Sequence, residues 1–219
     1  MHVCIHRLYT FPITSKRGIV LVVGARDFHK LESPERKALQ DTKLFLGLVR
    51  SFRWRTCADL GCGIGFYTLP MAQEWRTSRQ VIAVDRSTPM LEELDKRVEY
   101  LGLTNVHIRQ SVSDRIPIED TGAEFVNLGN VYHEIKGRLN FLKEVYRILK
   151  PGGVFLLIDW DPEEDMGIGP PVEERLPMRQ VVQDLKFAGF DSVKNVFIYI
   201  GHYALVARKA REHGPETRP

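Results

Sequence analysis

The chain has 219 residues, 43% of them hydrophobic and 27% charged, an ordinary globular composition at a length that suits one domain with modest additions. Its 31 lysines and arginines against 28 aspartates and glutamates leave a net charge of +3, too small an excess to point to nucleic acid. The longest apolar stretch, Ile19 to Ala25, is far short of the ~20 residues a membrane helix needs.

Residues 1–32 read as an N-terminal extension. Lys16-Arg17 ahead of Ile19-Val-Leu-Val-Val23 imitates a signal peptide, but the run is short and starts late in the chain. An added β-branched strand, or an extension translated from an early start codon, is the blander account. If ordered on the surface, the run is a candidate contact for a homodimer. Three cysteines (Cys4, Cys57 and Cys62) make no disulfide framework and show no CxxC spacing, so a reducing, cytoplasmic compartment is expected and no metal site.

From Ser33 the chain alternates helix and strand. Ser33-Pro34-Glu35 combines a cap, a proline and a first-turn acid, and Leu39, Leu44, Leu46 and Val49 recur at helical spacing, which predicts one helix up to Arg50. Thr56–Leu60 reads as a buried strand, followed by glycines and a helix through Trp75. Val81–Val84 is a second strand ending at Asp85. Ser87-Thr-Pro-Met-Leu-Glu92 repeats the cap signature and opens a helix to about Leu101. Val106–Ile108 and Glu124–Leu128 are strands three and four.

A helix over Leu139–Leu149 is stopped by Lys150-Pro151-Gly152-Gly153, and Val154–Ile158, the most hydrophobic strand, fits a central position buried on both faces. A polar loop follows from Asp159 to Pro171, and its acidic, proline-bearing part from Pro162 to Pro171 is long enough to act as a lid. A helix over Glu173–Ala188 precedes two β-rich segments, Ser192–Ile200 and Tyr203–Arg208, and residues 209–219 form a charged tail. Repeated βα units imply a doubly wound parallel sheet, and the closing pair of strands implies one antiparallel member. The expected domain is 33–208.

Chemistry is written at the strand tips. Asp59-Leu-Gly61-Cys-Gly63-Ile-Gly65 lies between strand one and its helix, where open α/β sheets bind ligands and where glycine allows close approach and positive φ. Asp85 follows about twenty residues on, at the tip of strand two, where a carboxylate can accept both ribose hydroxyls of a nucleoside. A dinucleotide fingerprint would carry its last glycine where Phe66 stands. The GxGxG pattern with acids at the strand tips instead favours a cationic cofactor without a pyrophosphate, S-adenosylmethionine over NAD.

These residues resemble the first motif of the class I S-adenosylmethionine-dependent methyltransferases, and Lys150-Pro-Gly-Gly153 is similar to their "LKPGG" stretch. The likeness runs from about Ser33 to Arg208 and is strongest to the small-molecule branch that includes the quinone-biosynthesis methyltransferases. Small prokaryotic relatives also carry Ile158-Asp-Trp160 followed by a Gly-Pro-Pro stretch, here Gly169 to Pro171. The resemblance implies a Rossmann-like seven-stranded sheet ordered 3-2-1-4-5-7-6 with strand seven antiparallel. It implies that Gly61, Gly63 and Gly65 pass under the methionine moiety and that Asp85 binds the ribose. Asp59 would anchor the loop or reach the methionine amino group through water. Tyr67 would touch the methionine carboxylate or pack on its helix face, and Arg86 and Asn130 complete the cofactor set. Val112 stands where the family usually has an adenine-binding acid, leaving Ser113 or Asp114 to substitute.

Gly129-Asn130-Val-Tyr132-His133-Glu134 after strand four would face the methyl acceptor. His133 has the pKa of a general base and is equally the kind of residue that packs or hydrogen-bonds there. His133-Glu134 begins like HExxH, but Gly137 occupies the fifth position, which excludes a zincin. Tyr132, Asp159 and Trp160 are the remaining acceptor-side candidates, Trp160 as a wall and Asp159 as an orienting group or a solvated loop acid. The expected function is methyl transfer to a small-molecule acceptor, with the acidic loop discouraging nucleic acid. A methyltransferase-shaped binding module or partner subunit is the alternative.

Overall fold

The five residues Thr56–Leu60 form β1, whose last four side chains are buried. It is joined in parallel on one side to β2 (Gln80–Asp85) and on the other to β4 (Ala123–Gly129), with Asp59 in register with Ala83 and with Asn127. β3 (Val106–Gln110) pairs with β2, and β5 (Leu149–Trp160) with β4. β7 (His202–Arg208) runs antiparallel between β5 and β6 (Ser192–Val196). The computed structural model describes residues 33–211, and these form a seven-stranded sheet ordered β3-β2-β1-β4-β5-β7-β6. This is the expected order, with the antiparallel strand in the expected place. Residues 1–32, with their apolar run and Cys4, and residues 212–219 of the tail lie outside the described residues.

Helices cover both faces. α1 (Pro34–Leu39), α2 (Thr42–Val49), α3 (Thr68–Glu74) and α4 (Thr88–Tyr100) precede β3 in the chain, and α5 (Arg138–Ile148) and α6 (Met178–Phe187) follow β4 and β5. Alternate residues of β5 enter opposite cores. Phe155 and Leu157 join Leu142, Val145 and Ile148 of α5 and Val181 and Leu185 of α6, whereas Leu156 and Ile158 join Phe45 and Val49 of α2 and Met71 of α3. Complete burial of each such side chain contributes roughly 1.5–3 kcal/mol, which makes β5 the strand whose position is most firmly fixed. Its carboxyl end, Asp159-Trp160, is thereby held rigidly at the edge where the glycine loop lies.

Four elements differ from the sequence expectation. The helix from Ser33 to Arg50 is two helices, because Asp41 caps α2 by accepting the Lys43 N–H while Gln40 turns inward and is buried. The helix from Glu173 begins only at Met178. Pro177 disfavours helical backbone at Leu176, and the preceding turn, Val172–Glu174, is a separate 3₁₀ segment. Ser87 sits at the N-cap of α4 without a side-chain cap bond, and no acid lies in the first turn. β6 stops at Val196, leaving Ile200 in the turn before β7.

Candidate active site

Four parallel strands, β1, β2, β4 and β5, deliver their carboxyl ends to one edge of the sheet. There the glycine loop takes three positive φ values, +63° at Gly61, +53° at Gly63 and +96° at Gly65, which other L-residues rarely adopt. The loop is fastened to β2 twice. The Cys62 N–H donates to the Val84 carbonyl at 3.1 Å, and the Gly63 N–H donates to Asp85 Oδ2 at 2.8 Å. Asp85 Oδ1 accepts the Ser87 N–H at 2.8 Å. Each carboxylate oxygen has two acceptor sites, so both retain capacity for a ligand hydroxyl.

Asp59 lies beneath this loop with 2% exposure. Its Oδ2 accepts the Thr68 hydroxyl, and its Oδ1 accepts Asn127 Nδ2 at 2.8 Å from the register-matched position on β4. Burial pushes its pKa up to about 6, against the opposing pull of those hydrogen bonds. The loop-anchoring alternative for Asp59 is therefore the one its contacts support. Asn127 and Thr68 are partners of Asp59 that sequence reading missed, although a lone amide inside the apolar run Phe125–Leu128 was a usable signal.

Tyr67 packs its ring against Phe45, with centroids 4.5 Å apart, and over the backbone of Gly129. A Cβ at Gly129 would stand 2.2 Å from that ring, so glycine is required there by close approach. The Tyr67 hydroxyl is buried beside that of Tyr199 without a hydrogen bond of good geometry, and burial raises its pKa. Next in the chain, Asn130 holds φ +58°, and its Nδ2 donates to Gln40 Oε1 at 3.1 Å. Gln40 also accepts from Arg36 and donates to His202, so a residue that sequence reading treated as mid-helix joins α1 to β4 and β7.

His133 meets the end of β5. Its Nδ1 lies 2.8 Å from Asp159 Oδ1, its backbone N–H donates to Asp159 Oδ2 at 2.9 Å, and the Trp160 N–H donates to Asp159 Oδ1 at 2.9 Å. Burial works to lower the His133 pKa, but the hydrogen bond and charge of Asp159, with Glu134 and Glu174 nearby, give a net rise. Asp159, at 1% exposure, is a buried partner of His133 rather than a solvated loop acid. Tyr132 goes elsewhere: its ring is fully buried in the α5–α6 core, and its hydroxyl donates to Asp184 at 2.9 Å. That placement turns it toward the helix layer instead of the acceptor.

Trp160 is covered by the acidic loop. Its ring stacks 4.1 Å from His202, and Gly169 approaches so closely that a Cβ would meet the indole at 2.8 Å. The loop is tied down by Arg175, another residue the sequence did not single out. Its guanidinium donates to the carbonyls of Pro170, Asp161, Glu164 and Ile168 and to Asp165 Oδ1, and it lies 5.6 Å over Trp160. Beyond β3, Ser113 Oγ accepts the Arg115 N–H, and Asp114 pairs with Arg86 at 3.1 Å in full exposure, while Val112 points to solvent. Among the described residues no group of acids, histidines and cysteines could hold a metal ion, and no helix is long and apolar enough to cross a membrane.

A family model described as a methyltransferase domain matches residues 58–157, the stretch from β1 to β5 that builds this edge. A crystal structure of an S-adenosylmethionine-dependent methyltransferase from Aquifex aeolicus is 30% identical, covers 84% of this chain and 97% of its own, and superposes with a TM-score of 0.74. The chain belongs to the class I S-adenosylmethionine-dependent methyltransferases. Curated relatives include a carboxy-S-adenosyl-L-methionine synthase of Hydrogenovibrio crunogenus, 35% identical over 101 residues (45% of this chain, 40% of that one). A demethylmenaquinone methyltransferase of Lactiplantibacillus plantarum is 28% identical over 113 residues (51% and 48%). The chain thus spans less than half the length of these curated relatives.

The edge fits the family's cofactor. Both Asp85 oxygens keep acceptor sites of the kind ribose hydroxyls fill. Asn127 Oδ1 and Asn130 Oδ1 are buried amide oxygens without a hydrogen-bond partner, acceptors of the kind an ammonium group fills.

Proposed function

We propose that this methyltransferase moves a methyl group from S-adenosylmethionine to a small-molecule acceptor. The observation that carries the reading is the lock between Asp85 and Gly63, which fixes the β2 acid against the glycine loop and supports a ribose-binding role for it. In this reading Asp85 holds the ribose, and Gly61, Gly63 and Gly65 admit the methionine portion to the backbone. Asp59 braces the loop from below, and Asn130 meets the amino-acid end. Ser113 and Asp114, with Arg86 paired to Asp114, lie on the adenine side. His133, Asp159 and Trp160 form the acceptor side, with Tyr67 closing the floor against Gly129.

The cofactor supplies an electrophilic methyl carbon on a sulfonium, and alignment of the two reactants accounts for much of the rate in such a displacement. The residues of the chain therefore act chiefly by holding partners still, a task suited to strand ends buried on both faces. The carboxylates of the 161–165 segment repel a polyphosphate chain, which favours a small acceptor over nucleic acid. Incubation of the protein with S-adenosylmethionine labelled in its methyl group and a cell extract, followed by size fractionation, tests this. Label in the low-mass fraction is expected. Label in RNA or protein would contradict the small acceptor, and cofactor binding without any transfer would favour the binding-module alternative.

A further inference from the structure

His133 and Asp159 are far apart in sequence and meet because β4 and β5 are hydrogen-bonded neighbours, with Gly129 opposite Ile158. The Asp159 carboxylate already receives two backbone N–H groups, from His133 and Trp160. The imidazole is a third donor that it does not need for its own satisfaction. An ionised carboxylate only accepts, so the contact at 2.8 Å puts the ring proton on Nδ1 and leaves the lone pair on Nε2. Nε2 has no hydrogen-bond partner among the described residues; its nearest carboxylate oxygen, Glu134 Oε1, stands 3.7 Å away. The ring is held in one orientation with its basic nitrogen free, at the strand end next to the cofactor loop.

We infer that His133 Nε2 is the proton acceptor of this site, that Asp159 is its positioning residue, and that the methyl acceptor is a hydroxyl or an amine that loses a proton as it is methylated. The inference rests on the methyltransferase reading above. The acceptor heteroatom forms its bond to the methyl carbon with its own electron pair. The pair of the breaking carbon–sulfur bond stays on sulfur, the heteroatom's proton passes to Nε2, and water then removes it. A thioether or a tertiary amine carries no such proton and would leave the base idle. The groups facing His133 are Asp159 from β5, Glu134 beside it in the chain and Glu174 from the 3₁₀ turn before α6. All three carboxylates favour a charged imidazole and so make Nε2 the stronger base.

The test needs no known acceptor. The whole chain is labelled with ¹⁵N at histidine, and the His133 ring signals are identified by their loss in His133→Gln. Both ring nitrogens are then followed by NMR through a pH titration, with and without S-adenosylhomocysteine. The expected result is a neutral ring protonated at Nδ1, a midpoint that falls by about one pH unit in Asp159→Asn, and an Nε2 signal that moves when S-adenosylhomocysteine is added. A proton on Nε2 in the neutral ring, or a midpoint unmoved in folded Asp159→Asn, would overturn the inference. An Nε2 signal indifferent to bound S-adenosylhomocysteine would overturn it too. If Asp159→Asn does not fold, the tautomer and the adenosyl response of the parent protein decide. Calorimetry on the same samples separates the two levels: no S-adenosylhomocysteine binding defeats the methyltransferase reading, whereas binding with an indifferent His133 defeats only this one.

Discussion

The Gly63 amide donates to Asp85 Oδ2 across 2.8 Å, so the acid at the tip of β2 fixes the shape of the loop that leaves β1. In the proposed site one carboxylate thus serves both the ribose of the cofactor and the backbone beneath it. Asp85→Ala is expected to weaken S-adenosylhomocysteine binding by about 1.5–3 kcal/mol, the worth of a hydrogen bond to a charged group. Isothermal titration measures this directly, and an unchanged affinity in a folded variant would remove Asp85 from the site.

A second prediction concerns acidity. The Asp59 pKa is raised by burial from an ordinary carboxylate value of 3.8 to about 6. A raised pKa means that the native state holds the proton more tightly than the unfolded chain, so stability from this group is complete below pH 3.8 and declines until about pH 6. Relative to Asp59→Asn, the parent should lose on the order of 3 kcal/mol between pH 4 and pH 7. Urea unfolding of both proteins across that range checks it, and parallel curves would show that Asp59 is not the buried acid described.

Gly129→Ala should be destabilising by about 1–3 kcal/mol, because its Cβ would enter the Tyr67 ring at 2.2 Å and force the ring from its contact with Phe45. Thermal unfolding gives the loss. A companion Tyr67→Leu, which vacates the ring edge, should recover part of it in the double variant, and simple additivity would contradict the steric cause.

Arg175 connects otherwise separate carbonyls of the 161–170 loop, and a lysine ammonium lacks its planar fork of donors. Arg175→Lys should therefore fail to restore what Arg175→Ala removes. Both variants should lose hydrogen-exchange protection around Asp161–Gly169 and lose about 2–3 kcal/mol of stability. Full protection in the lysine variant would mean that the loop is held by something other than the guanidinium.

The central strands were legible because they are short apolar runs, and the sheet order followed from the family likeness of Asp59–Gly65 and Lys150–Gly153. The breaks were harder to read. Gln40 falls within a helix by local signals alone, and only Asn130 and His202, both distant in sequence, supply the partners that draw it inward. Pro177 was a local signal that a helix drawn from Glu173 to Ala188 passed over. Arg175 was invisible because its partners are mostly backbone carbonyls, which carry no residue signature. The contact of His133 with Asp159 lay within reach: both were placed at carboxyl ends of strands four and five, and adjacency in the expected order brings them together.

The central claim is that this edge binds an adenosyl cofactor. Calorimetric titration of the purified chain with S-adenosylmethionine, S-adenosylhomocysteine and NADH in parallel tests it most directly. The account predicts micromolar binding of both adenosyl compounds and none of NADH. Failure of both adenosyl compounds to bind, or binding of NADH in their place, would contradict it.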